Sequence, residues 1–569
     1  MVRAVGDRLA AARGRLVGIM ARDGGKTVAE SDPEVSEAID FARYYAARIP
    51  ELAALEGAGA GFEPLGTVVV VPPWNFPLAI PAGGVLAALA AGNAVILKPA
   101  PETVATAWAL AQACWEAGID QDLLQFLPTA DGSAGRRLIE HPGVDGVILT
   151  GSWNTARMFL GWRPELRLHG ETSGKNAIVI TAAADLDGAL ADLVRSAFGH
   201  AGQKCSAASL AIVEASVYDD ERFRRQLADA VRSLRVGPGW DLRCTVGPLI
   251  RPPEGPLDDA LHRLGPGESW LVEPRRPGPN PNLWTPGVKL GVRPGSPFHL
   301  TECFGPVLGL MRAGDLSQAI EWQNQPAYGL TAGLQSLDPA EIERWRETVE
   351  AGNLYVNRHI TGAIVRRQSF GGWKRSAVGP GPKAGGPNYV ASLGTWTARF
   401  HGTAEEFAAA ARRGWREDLV PVDESHLLAE ANVFRYRALR TALLGAGEDV
   451  DDRSVALALA AASAVGVAVT VSSPVERAVG QRGAVTVEDE PALTGRLGRV
   501  AVDKVRLIGA AGDDLRLAVH DAGLWLDDVP VVAHPARELL RWVREQAVSE
   551  TRHRHGNVTG RHPGPVVAD

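Results

Sequence analysis

TVVVVPPWNFPLAIPAGGVLAALAAGNAVILKP, residues 67–99, holds a compact sequence of structural signals. Its first five residues are a β-branched apolar run of strand length, closed by a proline-rich turn. VLAALAAG (85–92) reads as a helix stopped by Gly92, and AVILK (94–98) as the next strand. The alternation continues: ETVATAWALAQACWEAG ends a helix at Gly118, and DGVILTGS (145–152) is again strand then turn. Short apolar strands separated by helices predict an α/β fold with a doubly wound parallel sheet, because crossover helices cover both faces of such a sheet. Upstream, residues 1–56 carry apolar residues at helical spacing, with almost no turn signal before Asp32-Pro33.

Composition bounds the function. A chain of 569 residues fits two or three domains, and 46% hydrophobic with 22% charged residues is ordinary for a globular protein with a large core. The net charge of −7 gives no basic field for nucleic acid or an anionic membrane. Cys114, Cys205, Cys244 and Cys303 lie far apart, which argues against a disulfide framework or a metal site and suits a reducing compartment. Two uncharged stretches, 64–97 and 454–475, are broken by prolines and asparagines or by Gly466, so both read as buried core and no membrane span is expected. No signal peptide pattern opens the chain, and the expected location is cytoplasmic.

A second α/β region begins near Ser206. Residues 248–297 are dense in proline and glycine and read as loop, while 400–425 is charged and helical, a linker. From 426 to 545 the alternation resumes in VALALAAASAVGVAVTVS, KVRLIG and LRLAVHDAGLWL, with no GxGxxG or other phosphate loop. The tail TRHRHGNVTGRHPGPVVAD has low hydrophobicity and is expected to be loosely held.

Chemistry concentrates in five short stretches. PPWNFP (72–77) puts Asn75 on a rigid turn after a strand, where its amide can donate to an oxyanion. KPAPE (98–102) puts Lys98 at a strand's carboxyl end, the ligand-binding edge of open α/β sheets. HGETSGKN (169–176) sets Glu171 in an apolar neighbourhood, GQKCSA (202–207) surrounds Cys205 with small residues, and TECFGPV (301–307) carries Glu302 and Phe304. Each has a bland alternative: free cysteine is usually a buried spacer, and a lone lysine or glutamate usually faces solvent.

Together, WNFP, LKPA, TGS, ETSGKN, GQKCS and ECFGP resemble the aldehyde dehydrogenase superfamily in its own order, over roughly residues 1–400. The resemblance implies that Cys205 is the nucleophile, Glu171 the general base and Asn75, with the Cys205 amide, the oxyanion holder. It further implies NAD as cofactor, with Trp74, Lys98, Gly151, Ser152, Glu302 and Phe304 around it: Lys98 at one ribose, Ser152 at the pyrophosphate, Glu302 at the other ribose, Phe304 on the nicotinamide. Two departures stand out. Ala156 replaces a frequent glycine, and Pro101 replaces a frequent acidic ribose ligand, which weakens any argument for NAD over NADP.

AIDFARYYA (38–46), residues 357–389, EANVFRYR (430–437) and REQAVSETRHRHGN (544–557) resemble the glutamate-semialdehyde dehydrogenase part of proline utilization A. The implied substrate is L-glutamate γ-semialdehyde, the open form of Δ1-pyrroline-5-carboxylate. Ser206, Gly362 and Ala363 would grip its carboxylate, and Phe76 and Phe370 would flank its aliphatic part. The implied layout is a cofactor domain at 1–180, truncated at its start and completed by part of 181–203. A catalytic domain follows at 204–375, an anchor or linker segment at 376–425, a C-terminal α/β lid at 426–550 and a flexible tail at 551–569. The resemblance raises a separate proline dehydrogenase as a partner, and association into oligomers is compatible with it. A flavin-binding barrel is not expected. Dehydrogenation of another semialdehyde, or a non-catalytic remnant serving as a partner subunit, are the competing readings.

Overall fold

The structure, a computed structural model, describes residues 1–57, 59–129, 132–477, 484–554 and 557–558. The sequence of 67–99 becomes strand Thr67–Val71, helix Ala79–Ala90 and strand Ala94–Leu97. The helix starts earlier than residue 85 because the amides of Leu78 and Ala79 find an acceptor in the Glu34 carboxylate. Six strands form the first sheet, in spatial order Ala377–Val378, Leu168–Thr172, Gly146–Gly151, Thr67–Val71, Ala94–Leu97 and Leu124–Phe126. All pairs are parallel except the first. Asn75, Lys98, Ser152 and Glu171 therefore lie along one carboxyl edge.

Helices Val2–Ala11, Arg13–Asp23 and Val28–Gly57 pack over helices Ala79–Ala90 and Val104–Glu116, which lie on this sheet. The Asp32-Pro33 turn signal is overridden: Pro33 sits inside the third helix. One lost backbone bond near the helix start is outweighed by the buried stripe of Val35, Ala38, Phe41, Ala42 and Tyr45.

A nine-stranded sheet forms the second layer. Its middle strands are Asn353–Val356, Thr331–Gln335, Asn176–Ile180, Ala208–Glu214 and Val307–Ala313. Gly287–Leu290 and Ser269–Val272 form one edge, so the 248–297 stretch is not all loop: its prolines flank two short edge strands and helix Gly255–His262. The strand Asn176–Ile180 pairs within this sheet, and helix Leu186–Phe198 buries Leu190, Leu193 and Phe198 in its core. The expected boundary at 180 thus moves to the turn before Asn176, and 181–203 completes the second unit. Part of the expected linker also returns to the first unit, since Ala377–Val378 joins its sheet and Gly394–Ala398 pairs with Ala60–Pro64.

The C-terminal region builds a five-stranded parallel sheet in the order Ala484–Val487, Ala468–Ser473, Thr441–Ala446, Lys504–Ile508, Leu526–Asp527. This 3-2-1-4-5 arrangement is a dinucleotide-type topology. Where a phosphate loop would sit, Asp451 caps the following helix and Arg477 bonds the carbonyl of Val450 and the carboxylate of Asp452. The region also lends strands Glu430–Ala438 and Val543–Thr551 to the nine-stranded sheet. His553–Arg554 pairs with Asn557–Val558, and Arg554 Nε meets Asp185 at 3.0 Å, so the tail is structured beyond 551. The rest of that expectation falls on residues 555–556 and 559–569, outside the described ones. Among the described residues no helix is long and apolar enough to cross a membrane.

The expected linker at 400–425 holds helix Ala404–Glu417, fixed by a Thr403/Glu406 capping box. Its Phe407 is fully buried in the core of the C-terminal sheet with Trp542. Phe407→Ala should therefore destabilise that unit by about 3–5 kcal/mol in urea denaturation, whereas a solvent-spanning linker helix would lose about 0.5 kcal/mol or less.

Candidate active site

The loop carrying Cys205 is held in an unusual backbone. His200, Ala201 and Gly202 have φ of 51°, 54° and 69°, three left-handed residues in succession. At Gly202 a side chain cannot fit, since a Cβ would lie 2.3 Å from the Gly305 carbonyl oxygen. Two non-glycine residues in this region are strained by roughly 1–2 kcal/mol each, and only the surrounding packing sustains them. The Asn176 amide donates to the carbonyls of Cys205 at 2.7 Å and Ala207 at 3.0 Å. Gly174 is needed beside it, because its Cβ would stand 2.6 Å from the Cys205 carbonyl oxygen.

Burial, with the nearby charges of Glu171 and Glu302, pushes the Cys205 thiol well above its ordinary value. Glu171, at the carboxyl end of Leu168–Thr172, is raised to about 7 by burial, against the opposing charge of Lys383. Asn75 is buried, and its Nδ2 donates to the Gln203 carbonyl at 3.0 Å, two residues ahead of Cys205. That bond uses one of the two amide protons and fixes the plane of the group; the other proton remains for a ligand.

The residues expected around a dinucleotide are brought to the same edge. Lys98 is buried at the end of Ala94–Leu97, with its chain against Gly135. Gly151 ends its strand, and Ser152 is the exposed N-cap of helix Trp153–Trp162, its hydroxyl accepting from the Thr155 amide. A helix start with a hydroxyl cap suits a phosphate. Glu302 is oriented by the Gly174 amide, which donates to its Oε1 at 2.8 Å. Phe304, at φ 56°, meets Trp74 edge-on with ring centroids 5.7 Å apart. This set of a lysine, a capped helix start, an oriented carboxylate and an aromatic pair fits a dinucleotide.

A cavity opens beside Cys205. Cys205, Ser206, Glu171, Gly362, Ala363, Phe76 and Phe370 all line it, so seven expected residues from both sheets and the 357–389 segment share one space. Asn75 stands behind the lining. Glu37, Phe41 and Tyr389 also line the cavity and were not singled out from the sequence. Burial first, and the charge of Glu34 next, raise the Glu37 carboxyl to about 8. A signal existed: Glu34, Glu37 and Phe41 fall at spacings of three and four on one apolar helix face.

The profile of the aldehyde dehydrogenase family matches residues 1–395, well over half of the chain. The chain belongs to the aldehyde dehydrogenase family. It is 36% identical over 389 residues to a 1-pyrroline-5-carboxylate dehydrogenase of Geobacillus sp. strain WCH70, covering 65% of this chain and 75% of that one. A 1-pyrroline-5-carboxylate dehydrogenase of Bacillus subtilis strain 168 is 35% identical over 392 residues, with the same coverage. Among solved structures, proline utilization A from Corynebacterium freiburgense superposes with a TM-score of 0.89 at 47% identity, over 98% of this chain. The chain spans 57% of that protein's length. A Thermus 1-pyrroline-5-carboxylate dehydrogenase with bound NAD gives a TM-score of 0.64 at 32% identity, over 70% of this chain and 80% of its own.

The thiol's position gives a test within this aldehyde dehydrogenase. Because Cys205 rests as a thiol, alkylation by iodoacetamide should be slow at pH 8.5. Glu171→Gln removes a neighbouring negative charge, lowers the thiol's pKa and should speed alkylation at that pH, as read by mass spectrometry of the Cys205 peptide.

Proposed function

We propose that the chain oxidises L-glutamate γ-semialdehyde, the open form of Δ1-pyrroline-5-carboxylate, to L-glutamate with NAD. The observation that supports this reading is the cavity, whose lining by Cys205, Glu171, Ser206, Gly362, Ala363 and Glu37 suits a thiol nucleophile, a base, donors to a carboxylate and an acid for an ammonium group. Relatives named for that activity support it, as does the NAD-bound neighbour.

The residues act in sequence. The Cys205 thiol gives up its proton as sulfur attacks the aldehyde carbon, and Glu171 is kept for the later hydrolytic step. The free proton of the Asn75 amide and the Cys205 amide hold the resulting oxyanion, each donor contributing about 2.7–4 kcal/mol. A nicotinamide dinucleotide, when bound, supplies the hydride acceptor. Cys205 then carries a thioester, and Glu171, poised near neutrality, draws a proton from the water that hydrolyses it. Lys98, Ser152, Glu302, Phe304, Gly151 and Trp74 hold the dinucleotide. A separate proline dehydrogenase is the kind of partner that would supply the substrate.

Recognition divides between two groups of the substrate. Ser206 and the amides of Gly362 and Ala363 replace water around the α-carboxylate, and the open backbone at Gly362, with φ of 87°, leaves its amide accessible. Glu37 faces the α-ammonium, which favours its ionised form and so releases a proton on binding. Phe76 and Phe370 flank the methylene chain.

Two outcomes check this. Cys205→Ala abolishes dehydrogenase and esterase turnover, whereas Glu171→Gln gives one burst of NADH and then stalls. In the native enzyme thioester hydrolysis rises with pH through about 7, since only ionised Glu171 accepts the proton. Unaltered steady-state turnover of Glu171→Gln would refute the assignment.

Substrate choice gives the second. Glutamate semialdehyde should exceed pentanal in kcat/KM by about 10³ or more, because pentanal leaves buried donors unpaired. Ser206→Ala should cost about 1–3 kcal/mol with both glutamate semialdehyde and 5-oxopentanoate. Glu37→Gln should cost about 1.5–3 kcal/mol with glutamate semialdehyde alone, because 5-oxopentanoate has no amine. Equal efficiency on pentanal would leave only general aldehyde oxidation standing.

A further inference from the structure

The two donors of the oxyanion site come from different sheets. Asn75 follows a strand of the six-stranded sheet, and Cys205 precedes a strand of the nine-stranded one. Their separation must hold within about 0.5 Å for both to meet one oxygen. Something that touches both loops has to set it.

Lys26, two residues ahead of helix Val28–Gly57, and Glu30 and Glu34 within it are charged side chains spaced four residues apart. Lys26 is fully buried. Its Nζ donates to the Asn75 carbonyl at 2.8 Å, lies 2.7 Å from Glu34 Oε2 and stands 4.1 Å from the centre of the Phe76 ring. The ammonium group thus makes one hydrogen bond, one ion pair and one cation–π contact. The other carboxylate oxygen of Glu34 accepts from the amides of Leu78 at 2.8 Å and Ala79 at 3.1 Å. The turn bearing Asn75 is thus gripped at both ends by one ion pair.

One helical turn from Glu34, Glu30 Oε2 lies 2.5 Å from the Nζ of Lys204, the residue before the nucleophile. Burial opposes ionisation of Glu30, but the charges of Lys204 and Lys26 hold it down at about 2. An apolar pair would pack these positions with less desolvation, so a buried Lys–Glu pair is weak as a stability device and is better explained by the geometry it imposes.

We propose that Lys26 is a positioning residue for the Asn75 donor, and that Lys26–Glu34 on one loop and Glu30 on Lys204 of the other make this helix the gauge that spaces the two halves of the oxyanion site. The proposal rests on Asn75 acting as an oxyanion donor.

Steady-state kinetics of the full chain with pyrroline-5-carboxylate and NAD test it. Lys26→Met should lower kcat about 100-fold, with KM for either substrate within about threefold, because the anchor residues for the carboxylate are untouched. Asn75→Ala should lower kcat by about 10²–10³. Adding Lys26→Met to Asn75→Ala should cause no further loss, since the group being positioned is gone; a purely structural lysine would cost the same in either background. The double variant Lys26→Met/Glu34→Gln leaves no unpaired buried charge and should show the same loss in kcat where the single variant fails to fold. Wild-type kcat in either folded variant, or an additive loss with Asn75→Ala, overturns the proposal. Wild-type kcat in Asn75→Ala alone overturns the oxyanion reading instead.

Discussion

The hydrogen bond from the Asn75 amide to the Gln203 carbonyl, 3.0 Å long, is where the carboxyl edge of one sheet meets the Cys205 loop of the other. Much of the surrounding structure converges on it. The left-handed run His200–Ala201–Gly202 turns the chain sharply enough to bring Gln203 and Cys205 to that edge. Gln203 is itself tied down, donating to the carbonyls of His200 and Pro248 and accepting from the Ile250 amide. Backbone strain here is held by the hydrogen bonds of Gln203 and the surrounding packing, a common condition at sites that must not relax.

A second constraint is electrostatic. Glu37, Glu171 and Glu302 are all half-buried near Cys205, and desolvation raises every one of these carboxyls. Crowding acids around a thiol keeps the resting site close to neutral, which avoids the cost of several unpaired buried charges. The opposing cation nearest Glu171 is Lys383, whose Nζ donates to Asn353 Oδ1 at 2.8 Å and to the Gly371 carbonyl. Its backbone amide donates to Glu545 Oε2 at 2.7 Å, so a strand from the C-terminal region reaches the wall of the cavity.

That region keeps the strand order of a dinucleotide fold while filling its phosphate position with carboxylates and an arginine. What it contributes is surface. Trp525 packs against Gly381, a lining residue of the cavity, and its indole donates to the Gly379 carbonyl at 2.5 Å. A glycine at 381 leaves room for the indole, whose ring would stand 2.8 Å from any Cβ there.

The short apolar strands of 67–99 and the motifs around Asn75, Glu171, Cys205 and Glu302 were legible in the sequence because they are local: period, turn residues and motif order suffice. The boundaries were not, since whether Asn176–Ile180 joins the first or second sheet depends on hydrogen-bond partners distant in sequence. The same holds for Ser269–Val272 and Gly287–Leu290, whose short edge strands hide among prolines. Glu37 illustrates the division best. By itself it is a glutamate on an amphipathic helix, and such residues usually face solvent. Only tertiary packing turns that face toward Glu171 and the cavity, where desolvation and neighbouring charge raise an ordinary glutamate's carboxyl to about 8.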